Sequence, residues 1–396
     1  MNVTPDVDVA IIGAGIHGVG MAQAAAAAGH SVLLLEQTGA AAGSSSRSSK
    51  LIHGGLRYLE TGQIHLVRES LHERTMMLRL APQLVRLQRF HIPIYRDTRR
   101  RPWQLQVGLS AYALLSGFGR GASFGTVPRS QWEALDGLST DALETVYYYH
   151  DAQTDDRALT QAVLRSAQQL GARLLCPAQF ADATLTDDGV ELRFGFADSL
   201  QQCRARVLVN AAGPWADRVA RRIAPAIPVP TLECVQGSHI ILDCPAPQAI
   251  YYVESPRDGR AVFVMPWQRN LMVGTTETRF RGDPGSVTPT AAELHYLQGV
   301  LKHYFPRFRS GAGAAAAQTA RSFAGLRVLP GGAGHAFHRS RETLLTPDRI
   351  AQPRVVSIYG GKLTTWRAVC ERALRVIAPS LPRRRRLART DQLALS

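Results

Sequence analysis

Paired cysteines, metal-binding spacings and long apolar runs are all missing from this sequence. Its 396 residues include five cysteines (Cys176, Cys203, Cys234, Cys244 and Cys370), none in a CxxC and one left over from any full pairing. That usage suits a reducing cytoplasm and argues against a structural metal site. Neither HxH nor HExxH occurs, so no metal is expected. No apolar stretch reaches the about 18 residues that a bilayer-crossing helix needs. The first residues carry no basic region ahead of their apolar run, so a secretory signal is not expected. Acid is scarce beside base: 46 Lys and Arg against 31 Asp and Glu give a formal net charge of +15. Such a field favours anionic partners, whether small phosphorylated ligand, lipid or nucleic acid, without choosing among them. No recognisable nucleic-acid module is present, so that partner is not expected. Apolar residues make up 45%, ordinary for a globular protein, and the length suggests two or three domains.

What is present begins with a compact local pattern. Val7 to Ile12 reads as a buried strand and meets Gly13-Ala-Gly15-Ile-His-Gly18, a GxGxxG. An alanine-rich helix follows through Ala28, closed by Gly29, and a second strand, Ser31 to Leu35, ends in Glu36. Gly13 permits the tight turn, Gly15 lets backbone approach a pyrophosphate, and Gly18 lets the helix lie close on the strand. The helix N-terminus offers free N–H groups to the phosphates. Glu36 can accept from the adenosine ribose hydroxyls, and its charge disfavours a 2′-phosphate. Strand, glycines, small-residue helix, second strand and acid in this order predict a dinucleotide site. They do not distinguish FAD from NAD.

Three later segments point to a flavin. Ala41 to Ser49 (Ala-Ala-Gly-Ser-Ser-Ser-Arg-Ser-Ser) is too polar for a core and offers short hydroxyl donors to phosphate oxygens, Ser45 among them; a plain flexible loop is the alternative. Arg206 to Asn210 reads as a strand leading into Ala211-Ala-Gly213-Pro-Trp215, whose small residues allow close approach of a ligand, as they would in a plain turn. Pro353 to Tyr359 reads as a strand running through Gly360-Gly-Lys362-Leu-Thr-Thr365 into a helix over Trp366 to Ile377. A helix N-terminus with Lys362 beside it would stabilise negative charge on a reduced isoalloxazine, and nicotinamide develops no such charge. The polar stretch Ser48 to Glu60 (Ser-Ser-Lys-Leu-Ile-His-Gly-Gly-Leu-Arg-Tyr-Leu-Glu) is placed to continue from the nucleotide toward the reactive end. From it Ser48, Ser49, Lys50, Leu51, His53 and Gly54 join the expected cofactor contacts, with Gly213, Gly361, Lys362, Leu363 and Thr364 from the later segments.

Together with Gln236-Gly-Ser-His-Ile240, Phe263-Val-Met-Pro-Trp267, Gly274-Thr-Thr276 and Gly325-Leu-Arg327, these segments resemble the FAD-linked glycerol-3-phosphate dehydrogenases, within the D-amino-acid-oxidase-like flavoproteins. The likeness runs from about Val7 to about Ala378. It implies oxidation of sn-glycerol 3-phosphate by hydride transfer to flavin N5, with quinone or another acceptor taking the electrons. It also implies a substrate pocket at Arg57, Tyr58, His239, Arg327 and Lys362. Arg57 and Tyr58 are assigned to substrate binding, Arg327 and Lys362 to binding and charge stabilisation, and His239 to proton acceptance. The chain departs from the family pattern at His17 (usually asparagine), Glu277 (usually aspartate) and Val328 (usually proline), and it stops short of the further C-terminal helical domain the family carries.

The expected fold class is α/β: a Rossmann-like FAD-binding domain over 1–84, 152–225 and 326–380, with a mostly antiparallel β-sheet substrate domain over 85–151 and 226–325. Residues 381–396 are expected to form a basic tail, and Gly311–Ala317 a mobile loop or helix start. Asp155-Asp156-Arg157 reads as a helix N-cap. Arg99-Arg-Arg101-Pro-Trp103 and the run Gln104 to Phe118 could lie on an anionic membrane surface or form a buried helix; Arg383 to Arg386 could add lipid attraction or be a solvated terminus. The expected location is cytoplasmic, with peripheral attachment to the inner face of the membrane as its extension. Two rival readings remain open: a flavin enzyme of the same superfamily acting on an amino acid or 2-hydroxy acid, and a degenerate flavin-binding basic module without turnover.

Overall fold

The structure is a computed structural model that describes residues 6–60, 62–117, 121–196, 199–331 and 343–396. The apolar runs Val7–Ile12 and Val32–Leu35 are buried along their whole length and form the centre of the first sheet. Its parallel part runs Arg173–Leu175, Val32–Leu35, Val7–Ile12, Ser199–Asn210, Val355–Tyr359. Continuous apolar strands of this kind need cover on both faces. Helices Ile16–Ala27, Asp156–Gln169 and Trp366–Ile377 supply one face. Ala178–Leu185 and Val190–Phe196 pack with Val7, Ala10 and Ile12 on the other. Small residues set the helix spacing: a Cβ at Gly20 would lie 2.5 Å from the Trp366 ring. The Asp155 carboxylate accepts from the Ala158 N–H at 3.0 Å and caps its helix, as expected. The last helix has the expected bounds, Trp366–Ile377.

The second sheet holds Val85–Tyr95, Leu143–Thr154, Leu232–Leu242, Ile250–Glu254, Ala261–Trp267 and Asn270–Gly274, all paired antiparallel except Ile250–Glu254 with Val85–Tyr95. Helix Ala291–Tyr304 packs on it, its start fixed by a reciprocal cap in which Thr290 and Glu293 bond each other's backbone. Leu51–Ile52 and Arg321–Pro330 also join this sheet, and Leu143–Thr154 runs past residue 152 within it. The expected boundaries at 84, 152 and 326 therefore do not coincide with changes of sheet. Gly311–Gln318 is a short helix.

Helix Pro102–Leu115 buries Leu105, Leu109 and Tyr112 and exposes Trp103, Val107 and Leu114. The helix is thus buried on one face and exposed on the other; Phe118, the expected end of the run, lies outside the described residues. Among the described residues no helix is long and apolar enough to cross a membrane. The basic tail is docked rather than free. The Leu387 and Ala388 N–H groups donate to Ala27 O, the Leu395 N–H donates to Leu80 O, and Thr390 and Leu395 are buried. Arg384 reaches Asp8 at 3.2 Å.

Strand Val85–Tyr95 buries His91 with no hydrogen-bond partner for either ring nitrogen among the described residues. Burial, with Arg89 nearby, lowers its pKa from 6.5 to about 4. The unfolded chain then binds this proton more tightly than the folded one, so stability rises with pH between about 4 and 6.5 and is lost as pH falls. His91→Leu is expected to flatten that fall by about 2 kcal/mol, read by urea denaturation at pH 6.5 and 4.5.

Candidate active site

The nucleotide end of the site is built by backbone approach. Gly13 has φ +96°, and a Cβ at Gly18 would lie 1.7 Å from Gly13 O, so both must be glycine. The Ile16 N–H at the helix start donates to Ser45 Oγ at 2.8 Å, which brings the serine loop onto the pyrophosphate position. Glu36 accepts from the Ala14 N–H (2.8 Å) and the Thr38 N–H (2.9 Å), and these bonds orient its carboxylate at the cavity edge.

The serine loop then crosses from the first sheet to the second. Ser48 donates to Asp156 Oδ2 through both N–H and Oγ, at 2.9 and 2.7 Å. Lys50, at φ +60°, donates to Asp156 Oδ1 and Ser46 O, each at 2.6 Å. Its ammonium is therefore turned away from the cavity, which Lys50 does not line. Gly54 also lies off the cavity wall, as does Gly18; each matters as a close approach. Ser49 Oγ meets His239 Nε2 at 3.0 Å, and the His53 N–H donates to Thr364 Oγ1 at 3.1 Å.

One cavity of about 940 Å³ extends from Gly13, Gly15 and Glu36 past Ser45, Ser48 and Ser49. Leu51, His53, Gly213, Gly361, Leu363 and Thr364 line it further on. Arg57, Tyr58, His239, Arg327 and Lys362 line the same cavity. Positions spread over three hundred residues of chain thus meet in one space, continuous with the nucleotide cleft.

Missing side chains make room for the present ones. His239 pairs across strands with Gly274, where a Cβ would sit 2.0 Å from the imidazole. A Cβ at Gly237 would sit 2.3 Å from Arg327 Nη2. A Cβ at Gly325 would sit 2.4 Å from Arg47 O, so this glycine seats the serine loop on the sheet. Behind the wall, buried Glu293 accepts from Thr276 Oγ1 and Gln236 Nε2, each at 2.6 Å, and Thr276 Oγ1 takes the Ser238 N–H at 2.8 Å.

The charges are held by fixed partners. Arg327 donates to Glu277 (2.7 Å), Thr276 O (3.0 Å) and Thr275 Oγ1 (3.2 Å). Lys362 Nζ lies 3.7 Å from the Tyr58 ring centroid. His239 stacks on Phe323 at 4.8 Å, and burial, then Arg327 and Lys50, lower its pKa to about 3. The ring is therefore neutral at neutral pH. Glu277 was legible as a departure but not as the buttress of Arg327. Arg260, which lines the cavity and donates to Glu277 O at 2.9 Å, was passed over because its neighbours read only as a turn. Asp156 was read as part of a cap; its grip on Ser48 and Lys50 had no sequence signal. Among the described residues no three His, Cys, Asp or Glu side chains form a metal site.

Residues 8–362 match the family model described as FAD dependent oxidoreductase. The chain is 36% identical to the glycerol-3-phosphate dehydrogenase of Pseudomonas aeruginosa, over 94% of its own length and 72% of that protein. It is 32% identical to the D-erythritol 1-phosphate dehydrogenase of Brucella abortus, over 93% of its length and 72% of that protein. In fold it is similar to the glycerol-3-phosphate dehydrogenase from Bacillus halodurans complexed with FAD, with TM-score 0.75 and 24% identity over 98% of this chain and 68% of that one.

The residues fit FAD: glycines where the pyrophosphate must approach, an oriented acid for the ribose, and Lys362 with the Gly360–Gly361 turn at the far end. Gly18→Ala should abolish FAD retention. Gly274→Ala should keep the flavin while losing about 1–3 kcal/mol by overpacking against His239. Flavin absorbance of the purified proteins and their urea denaturation check the pair.

Proposed function

The chain belongs to the FAD-dependent oxidoreductase family, among its glycerol-3-phosphate dehydrogenases, and from that premise we propose that it oxidises sn-glycerol 3-phosphate to dihydroxyacetone phosphate. Bound FAD supplies the acceptor for the hydride that leaves C2. The observation that carries the reading is the convergence of Arg57, Tyr58, His239, Arg327 and Lys362 on one cavity continuous with the nucleotide cleft.

In this reading Arg57 and Arg327 hold the substrate's anionic group, since a guanidinium fork matches phosphate oxygens with two parallel bonds. Glu277 and Thr276 O fix the orientation of Arg327 before substrate enters, which lowers the cost of ordering it on binding. Lys362, against the Tyr58 face, holds positive charge where negative charge develops. His239 receives the hydroxyl proton. Burial, then the nearby cations, keep it neutral at rest; a dianion beside it offsets the cations, so its basicity rises when substrate is bound. Arg260 adds a cation to the same space. That surplus of positive charge favours a phosphorylated alcohol over the zwitterionic amino acid or singly charged 2-hydroxy acid of the rival reading. Convergence of all five pocket residues speaks against a degenerate module.

The electrons pass on to quinone or another acceptor, and the enzyme works on the inner face of the cytoplasmic membrane. Support comes from the outer face of helix Pro102–Leu115, where Trp103, Val107 and Leu114 stand 67%, 62% and 63% exposed on one stripe. Arg100 and Arg101 at its start are bridged to Glu60, Glu254 and Glu144, and the exposed Arg99 beside them is placed to meet lipid phosphates.

Anaerobic titration with sn-glycerol 3-phosphate should bleach the flavin band, while lactate leaves it oxidised; the reverse result would sink the substrate assignment. Arg327→Ala should slow reduction by about 10- to 100-fold, the worth of charge-assisted hydrogen bonds, with FAD content unchanged. Trp103→Ser with Val107→Ser should lower co-sedimentation with phosphatidylglycerol vesicles and leave flavin reduction in solution as it was.

A further inference from the structure

A buried charged network outside the cavity has no part in the reaction described so far. Asp151 and Arg74 are each 1% exposed and Tyr112 is 3% exposed. They come from three elements: helix Ile64–Leu80, helix Pro102–Leu115 and strand Leu143–Thr154. Arg74 Nη1 donates to Asp151 Oδ1 at 2.7 Å and to His150 O at 2.9 Å. Tyr112 OH donates to Asp151 Oδ2 at 2.6 Å. The same hydroxyl accepts the Gly54 N–H at 2.9 Å, and that N–H also points at Asp151 Oδ1 at 3.4 Å. None of the three side chains lines the cavity.

Burying such a pair is expensive, and apolar side chains of equal volume often replace one with no loss of stability. Packing alone therefore gives no reason for it. What apolar residues could not supply is an oriented acceptor for one backbone N–H. We propose that Tyr112, held by Asp151 and Arg74, is a positioning residue that grips Gly54 and thereby sets where Arg57 and Tyr58 stand against the substrate. The proposal rests on the assignment of Arg57 and Tyr58 to substrate binding.

The local geometry makes the grip matter. A Cβ at Gly54 would lie 2.4 Å from Tyr112 OH and 2.6 Å from Leu71, so only glycine lets the segment come this close. Gly55 follows at φ +80°, its Cβ position 2.2 Å from the Tyr58 ring, and its carbonyl accepts the Tyr58 N–H at 2.8 Å. The chain thus reverses immediately after the clamp and enters the single turn Arg57–Glu60. A shift at Gly54 passes through a tight turn to both side chains with little slack to absorb it. Burial raises the pKa of the Tyr112 hydroxyl well above its usual value, so it stays a donor to Asp151. The cofactor half is anchored separately, through His53 to Thr364 and through the serine loop to Asp156.

Tyr112→Phe removes one oxygen and keeps the ring. In the FAD-loaded enzyme, the concentration of sn-glycerol 3-phosphate giving half-maximal flavin reduction should rise by about 10-fold, the worth of one hydrogen bond. The limiting reduction rate should change by less than about threefold, and FAD affinity should not change. Hydrogen exchange of peptides covering residues 51–60 should speed up in Tyr112→Phe, with peptides from Val7–Ile12 unaffected. An unchanged half-saturating concentration, or a loss of FAD affinity and melting temperature in step with it, overturns the proposal. If sn-glycerol 3-phosphate fails to reduce even the unaltered enzyme, the substrate reading falls. Exchange at residues 51–60 then still decides the positioning claim, because an unchanged rate in Tyr112→Phe would end it.

Discussion

One buried carboxylate, Asp156, sets the relation between the two halves of this molecule. It accepts from Ser48 twice, from Lys50 and from the Arg157 N–H, and it is wholly buried. The loop it grips is the place where the chain leaves the nucleotide sheet and enters the second one. Before that point Ser44 and Ser45 bond Leu326 O and the Ile16 N–H. After it Ser49 meets His239 and Leu51 pairs with Gln153. Loss of one partner from a buried pair of this kind costs about 3–5 kcal/mol, since the other is left uncompensated. Cofactor cleft and substrate wall are therefore joined by a contact that belongs to neither.

The parts legible in the sequence were those whose partners lie nearby in the chain. Val7 to Glu36 declared a nucleotide unit because strand, glycines, helix and acid follow each other within thirty residues. Trp366–Ile377 declared its bounds through the strand and the glycine turn ahead of it. The five pocket residues were legible only through likeness to a family, because nothing local distinguishes Arg57 or Arg327 from an ordinary surface cation. Lys50 shows the limit. Its setting suggested a cofactor contact, yet its partner is an aspartate 106 positions away that reads as a helix cap. The tail likewise reads as a solvated basic run, since its anchors at Ala27 and Leu80 carry no signal in its own residues. Arg321–Pro330 joined the second sheet because its partner is Leu232–Leu242, which no local pattern reveals.

Electrostatically the cavity is organised by partial neutralisation. Glu277 sits on Arg327 and Asp156 on Lys50, so these cations are fixed in direction without being wholly cancelled. Between them His239 stays uncharged. Burial first, and the same positive field that would draw in an anion second, keep the nearest imidazole neutral, and the arriving anion would raise its basicity.

The absence of side chains at Gly237, Gly274 and Gly325 has a consequence for how such a pocket can diversify. Each position abuts backbone or a functional group so closely that even a methyl would force its neighbour to move. Enlarging these positions therefore costs stability, and adaptation to a longer or shorter alcohol falls more readily on wall residues with side chains of their own, such as Arg260, Tyr252 and Phe263. Descendants of this architecture would be expected to keep these glycines and to differ first in the side chains around them.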